Sequence, residues 1–280
     1  MQRTIQTIHP GEYRPIDDLV TYSPMPSRRL NHIDPFLFLN HHGYQEYPAN
    51  NNGLPFGPHP HRGMETVTFI LEGDIVHEDS GGHKEVIGPK GIQYMTAGSG
   101  LIHSEVSSEE FKEKGGPLEI LQLWLNLPSR LKMTQPRYVG KQHHEMVEDD
   151  LGDQSSLQLI FGEWEGTKGS FEPSYPIWMG TLFLSEGSRF ERSIPVEDEI
   201  FFYVVRGKVE VNGQPVEMRE LVQFKHEGEE VNIQASEQAV VILGHAKPFG
   251  EPIVAQGPFV MNSEQEIYQA YMDYQQGKFA

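Results

Sequence analysis

The sequence predicts an all-β protein made of two β-barrels, with one short α-helix at its C-terminal end. Three observations lead there. Twenty-eight glycines and 20 prolines punctuate the 280 residues, and the segments between them are rich in Val, Ile, Phe, Tyr and Thr, which suit a pleated, half-buried strand. Short β-prone runs separated by turn signals favour a sandwich or barrel over alternating strand–helix units. A weak internal repeat aligns Glu65-x7-Gly73-x2-Val76 with Glu199-x7-Gly207-x-Val209, each copy reading as a strand, a glycine turn and a second strand. The length agrees with two copies of one barrel, at roughly 150 residues per domain.

Taken in order, residues 66–71, 120–127, 178–184, 201–205 and 239–243 read as strands. The division expected is 1–135 and 136–280, joined by a polar, acidic stretch at 142–154 that holds His143 and His144. Val209 to Val216 contains Asn212-Gly213, a dipeptide that accepts positive φ at both central positions of a tight hairpin. The one convincing helix begins at Ser263-Glu264-Gln265-Glu266, where hydroxyl and carboxylate can satisfy the orphan amides of a first turn. Ile267, Tyr271 and Tyr274 follow at helical spacing, and Gly277 is placed to end it.

Composition excludes several classes of function. Lys and Arg number 22 against 40 Asp and Glu, a formal charge of −18; without a basic cluster, phosphate contacts to nucleic acid and attraction to anionic membranes are both disfavoured. The longest apolar stretch falls well short of the ~20 residues of a membrane span, and the start of the chain carries no secretory signal pattern. A cytoplasmic protein is expected. The absence of cysteine removes thiolate nucleophiles, Fe–S clusters and Cys-based zinc sites. What remains for soft-to-borderline metal chemistry is the set of 13 histidines.

Nine of those histidines precede residue 104. His59 with His61, and His103 with Glu105, are each spaced i, i+2, so each pair points to one face of a strand. If the two strands are neighbours, three imidazoles and a carboxylate converge, a donor set that suits Fe, Mn, Ni, Cu or Zn rather than Ca or Mg. Unbroken alternation would also bring Glu65 to that face, as a rival ligand or as a partner of an imidazole.

These residues carry a family resemblance. Gly53-x5-His59-x-His61-x3-Glu65-x7-Gly73 resembles the first cupin motif with one extra residue before its last glycine; Gly91-x6-Gly98-x-Gly100-x2-His103 resembles the second, with Gly98 where cupins usually have proline. More narrowly, HPHRGMETVT from His59, MTAGSGLIHSE from Met95 and GPFVMN from Gly257 resemble the pirin family, along most of the chain. The resemblance implies two cupin (jelly-roll) barrels with one divalent transition metal in the N-terminal barrel. Iron(II) is expected first, with Mn, Ni, Cu, Zn or Co also compatible. It implies His59, His61, His103 and Glu105 as ligands and Glu65 as a non-ligand. The second half has Ser193 and Pro195 opposite the two motif histidines, which agrees with an empty second barrel.

The resemblance further implies a quercetin 2,3-dioxygenase-like activity that adds both atoms of O2 to a flavonol and releases CO. Glu105 would serve as catalytic base for the 3-hydroxyl as well as ligand. The alternative it carries is a regulator whose metal oxidation state tunes binding to a protein partner. Other residues have plainer readings. His41-His42 is expected in a solvated turn, and His77 and His83 in a hairpin loop. Trp124, Trp164 and Trp178 are expected in packing, and Arg62 in an ion pair turned away from the metal face.

Overall fold

The computed structural model describes residues 1–279, and the chain divides into two compact units. One comprises Met1–Glu12, Pro24–Pro35 and Glu145–Pro248; the other comprises Tyr13–Ser23, Phe36–His144 and the chain from Phe249 onward. A cut at 135/136 therefore misplaces both ends of the chain, for reasons of pairing and packing. Strand Ile5–Pro10 pairs antiparallel with Glu220–Phe224, which ties the N-terminus to the later unit. The C-terminal helix holds Asp273, which pairs with Arg62 of the earlier one.

Both units have the same plan, a large sheet facing a four-stranded one. In the unit containing residues 36–144, the large sheet includes, in spatial order, Arg137–Lys141, Ile92–Thr96, Met64–Glu72, Gly116–Asn126 and Phe36–Tyr47. The smaller sheet runs Phe56–His61, Leu101–Val106, Ile75–Asp79, Lys84–Ile87. In the other unit the order is Ile5–Pro10, Glu220–Phe224, Glu199–Arg206, Ala239–Ala246, Trp178–Leu184, Ser155–Phe161, Val147–Gly152, with a smaller sheet of Arg189–Ser193, Glu230–Ala235, Val209–Val211, Gln214–Val216. The repeat is therefore structural: Met64–Glu72 and Glu199–Arg206 are both third strands, and each is followed by a glycine turn into the small sheet.

Local sequence explains the elements. Val209–Val211 and Gln214–Val216 pair across Asn212 and Gly213, both with positive φ, as the turn chemistry requires. Glu264–Gln275 is helical, and Ser263 Oγ accepts from the Glu266 amide at 3.3 Å. The Glu266 carboxylate accepts from the Asn262 amide and the Ser263 hydroxyl, one residue earlier than the reciprocal cap predicts. A second helix, Glu109–Lys114, was not legible: six residues with one buried side chain, Phe111, leave no periodic stripe. The stretch 142–154 is more than a linker, since Val147–Gly152 is an edge strand paired with Ser155–Phe161.

The cores are the inward faces of these sheets. Leu157, Leu182, Phe202, Val222 and Val241 are fully buried in one, Ile70, Ile87, Leu118 and Ile120 in the other. At about 1.5–3 kcal/mol per buried aliphatic or aromatic side chain, these faces dominate stability and fix the strand registers that place the polar residues described next.

Candidate metal centre

Strands Phe56–His61 and Leu101–Val106 are antiparallel neighbours with His59 directly opposite His103. His61 lies two residues on from His59, on the same face, and its ring centroid is 5.1 Å from that of His103. The register slips between His103 and Glu105, so Glu105 faces Phe56; this bulge lies at Gly57-Pro58, where proline cannot donate to a ladder. One ring nitrogen from each of His59, His61 and His103 lies within 4.8 Å of the others.

The hydrogen bonds fix which nitrogens are free. His59 Nδ1 lies 2.8 Å from the Gly57 carbonyl and His61 Nδ1 lies 3.2 Å from the Pro258 carbonyl. A carbonyl only accepts, so both Nδ1 atoms carry the proton and each Nε2 presents a lone pair. His61 Nε2 and both ring nitrogens of His103 are buried with no hydrogen-bond partner. Orphaned buried nitrogens cost free energy unless something binds them, and a cation is the group that ring nitrogens converging from three sides would satisfy. Burial, then the nearby His59, pushes the His61 pKa down to about 3, and burial lowers that of His103 well below its usual range. Both rings are therefore neutral, the protonation state a metal needs.

Glu105 is 3 % exposed. Its Oε1 accepts from Thr68 Oγ1 at 3.2 Å and its Oε2 from Gln122 Nε2 at 2.5 Å. Burial pushes its pKa up to about 7, against the two hydrogen bonds that pull it down. Glu105 does not share the 4.8 Å cluster of His59 and His61; it belongs to a second cluster with His103 and His77. His103 is common to both, so the four expected donors meet at His103 rather than as one equidistant quartet.

Three expectations need correcting. His77 is not in a loop but on strand Ile75–Asp79, opposite Glu105 and 1 % exposed; its ring lies flat on Tyr138 at 3.8 Å and Nε2 pairs with Asp79. His41 and His42 lie buried on the long strand Phe36–Tyr47 rather than in a solvated turn. His41 pairs with Glu119 at 3.0 Å. Glu65 does not continue the face of His59 and His61, because one strand ends at His61 and the next begins at Met64 in the other sheet. Its Oε1 instead accepts from Tyr94 and Thr96, each at 2.7 Å. Arg62 makes the ion pair expected of it, and does so as a buried residue, with Nη1 on Asp273 at 2.8 Å and Nε on the Ser99 carbonyl at 2.7 Å. His143 and His144, expected in a linker, are exposed in a short 3-10 turn.

A cavity of about 250 Å³ opens beside the histidines, lined among others by His59, His61, Glu105, His42, Gln122 and Trp124. Trp124 is thus a cavity wall as well as a packing residue: it stacks on Phe38 at 4.6 Å, meets His61 edge-on at 5.1 Å and donates from Nε1 to Gln122. Ile120, Gln122 and Trp124 all line this space, one face of a single strand. A lone glutamine inside the apolar run 120–127 was the available signal for it.

The chain matches two family models, Pirin over residues 19–125 and Pirin C-terminal cupin domain over 181–280. It is 33% identical over 270 residues to a Pseudomonas aeruginosa protein named "Putative quercetin 2,3-dioxygenase PA2418", covering 96% of this chain and 93% of that protein. The chain belongs to the pirin family. A pirin-like protein of Solanum lycopersicum is 37% identical over 89% of this chain and 83% of its own length. The crystal structure of quercetin 2,3-dioxygenase from Acinetobacter baumannii superposes with a TM-score of 0.91 at 32% identity, covering 100% of this chain and 99% of that one. The two sheet pairs are accordingly the cupin barrels of the pirin fold. No helix among the described residues is long and apolar enough to cross a membrane.

Proposed function

We propose that this chain is a metal-dependent dioxygenase of the pirin type, working in the cytoplasm on flavonols such as quercetin. It would consume one O2 per flavonol, place both oxygen atoms in the ring-opened product and release one ring carbon as CO. The carrying observation is the convergence of three imidazoles, two with orphaned buried nitrogens, where His59, His61 and the buried Glu105 carboxylate line one cavity.

His59, His61, His103 and Glu105 would hold one divalent transition ion, iron(II) in the first instance, and that ion supplies Lewis acidity toward the substrate oxygens and a route for electrons to O2. The protein groups do the rest. The carbonyls of Gly57 and Pro258 hold His59 and His61, so two of the donor nitrogens are oriented before anything binds. Thr68 and Gln122 hold the Glu105 carboxylate, whose remaining lone pairs can take the proton of the flavonol 3-hydroxyl and return it to the product carboxylate. Trp124 and Phe38 offer a flat apolar wall to an aromatic ring.

The test is to supply quercetin and O2 to metal-replete protein and to follow flavonol absorbance and CO together. Turnover with one CO per quercetin, above that of free metal, supports the reading; loss no faster than with free metal overturns it.

A further inference from the structure

The unit formed around residues 145–248 contains a cavity of about 770 Å³, lined by Trp178, Arg192, Asp198, His245, Phe171 and Lys247 among others. Its size falls within the ~300–1,000 Å³ of ordinary small-molecule sites. Its wall is built on the same register as the first cavity. With Glu65 aligned on Glu199, Trp124 opposite Thr66 corresponds to His245 opposite Ile200. Phe38, paired with Trp124, then corresponds to Trp178, paired with His245. Both pairs stack, at 4.6 Å and 5.7 Å. The second unit thus keeps the pocket position while lacking the histidines.

Arg192 supplies a charged group at this cavity. Its guanidinium lies over the Trp178 indole at 3.7 Å and near Trp164 at 5.6 Å. Nε–H donates to His245 Nε2 at 3.1 Å, and His245 Nδ1–H donates to Asp198 at 2.7 Å. That relay fixes the neutral histidine tautomer and the plane of the guanidinium. Among the described residues, the Arg192 Nη groups have no hydrogen-bond partner and no ion pair. Trp178 Nε1, 4 % exposed as a residue, is buried and unpartnered. A held arginine fork beside an unused indole donor is a site for an anionic oxygen acceptor.

The remaining walls choose among anions. Phe171, Pro173, Pro176 and Ile177 give an apolar enclosure for an organic body. Lys168 and Lys247 supply positive charge, but Glu163 and Glu172 also line the space, which disfavours a dianion such as phosphate. We propose that this cavity binds an aromatic monocarboxylate, its carboxylate on the Arg192 fork and its ring against Trp178 and the proline-rich wall. The site is independent of the metal-centre reading.

Benzoate is the probe, with benzamide as its uncharged isostere and inorganic phosphate as the dianion, titrated calorimetrically into the intact chain. Saturable benzoate binding is expected, about 10- to 100-fold tighter than benzamide, since one charge-assisted contact is lost. Arg192→Gln should weaken it by a similar factor, with its thermal unfolding recorded alongside. His59→Ala should leave it unchanged, which separates this site from a carboxylate bound in the other barrel. Equal binding of benzamide or phosphate, loss of binding in His59→Ala, an unchanged Kd in folded Arg192→Gln, or no binding at about 10 mM, far above ordinary ligand Kd values, overturns the proposal. The benzoate–benzamide comparison on the unaltered chain decides it even if Arg192→Gln does not fold.

Discussion

His59 and His103 face each other across two antiparallel strands with ring centroids 4.4 Å apart. His103 also stands 5.4 Å from His77 on its other side. It therefore sits between two candidate ligand sets, and substitution distinguishes them. His59→Ala should lower metal affinity by more than about 100-fold, beyond the 10- to 100-fold typical of losing a residue that only supports a ligand. His77→Phe, which keeps a ring against Tyr138, should stay within that lower range. Elemental analysis of both variants, purified in parallel without added metal, checks this; a metal-free His77→Phe with a metal-replete His59→Ala would move the site.

Glu105 is held by Thr68 and Gln122, not by a cation of the protein. Glu105→Gln keeps the size and one carbonyl oxygen but no proton acceptor. Its expected outcome is retention of much of the metal with a fall in flavonol turnover of about 10²- to 10⁴-fold, the usual range for a lost general base. Metal content and turnover measured on one preparation separate the two roles. Turnover at the wild-type rate would remove Glu105 as base.

The double-barrel plan and the His-x-His and His-x-Glu pairs were legible because strand alternation and turn chemistry are local. The misreadings arose where a long-range contact decides. His42 and His77 look like solvated imidazoles beside glycines and acids, yet each lies on a strand face turned into the barrel. Glu65 follows the alternation of His59 and His61 on paper, but the chain changes sheet between His61 and Met64. The N-terminal strand joins the later unit through pairing with Glu220–Phe224, which no local pattern records.

His42 makes a pH prediction with a definite sign. Its burial, with a smaller push from His41, lowers its pKa to about 3, while in the unfolded chain it titrates near 6.5. Between those values the unfolded state binds the extra proton, so stability falls as pH drops below about 6.5 and is unaffected above it. From pH 6.5 to 5 this one group accounts for about 2 kcal/mol. His42→Gln, which can still bond to the Thr21 hydroxyl now 2.9 Å from Nδ1, should flatten that slope. Urea midpoints of both proteins at pH 7 and pH 5 give the comparison; parallel losses would show that His42 is not held neutral.

Gly63 tests the bend that separates Glu65 from the histidines. It has φ +78, and a Cβ built there would lie 2.1 Å from the Val260 carbonyl oxygen. That carbonyl is held in place: it accepts from Lys132 Nζ at 3.0 Å, and the Val260 amide donates to the Arg62 carbonyl. Neither partner can withdraw cheaply, so alanine meets both an unfavourable backbone region and a backbone clash. The first alone costs about 1–3 kcal/mol; the clash adds to it. Gly63→Ala should therefore lower the thermal midpoint by more than about 4 °C, and it should lower metal affinity too, because His61 leads directly into the displaced bend. Gly57→Ala, where an added Cβ meets nothing within 4 Å, is the matched control. If both variants melt together with the unaltered protein, the bend is not the constraint that sets this face of the site.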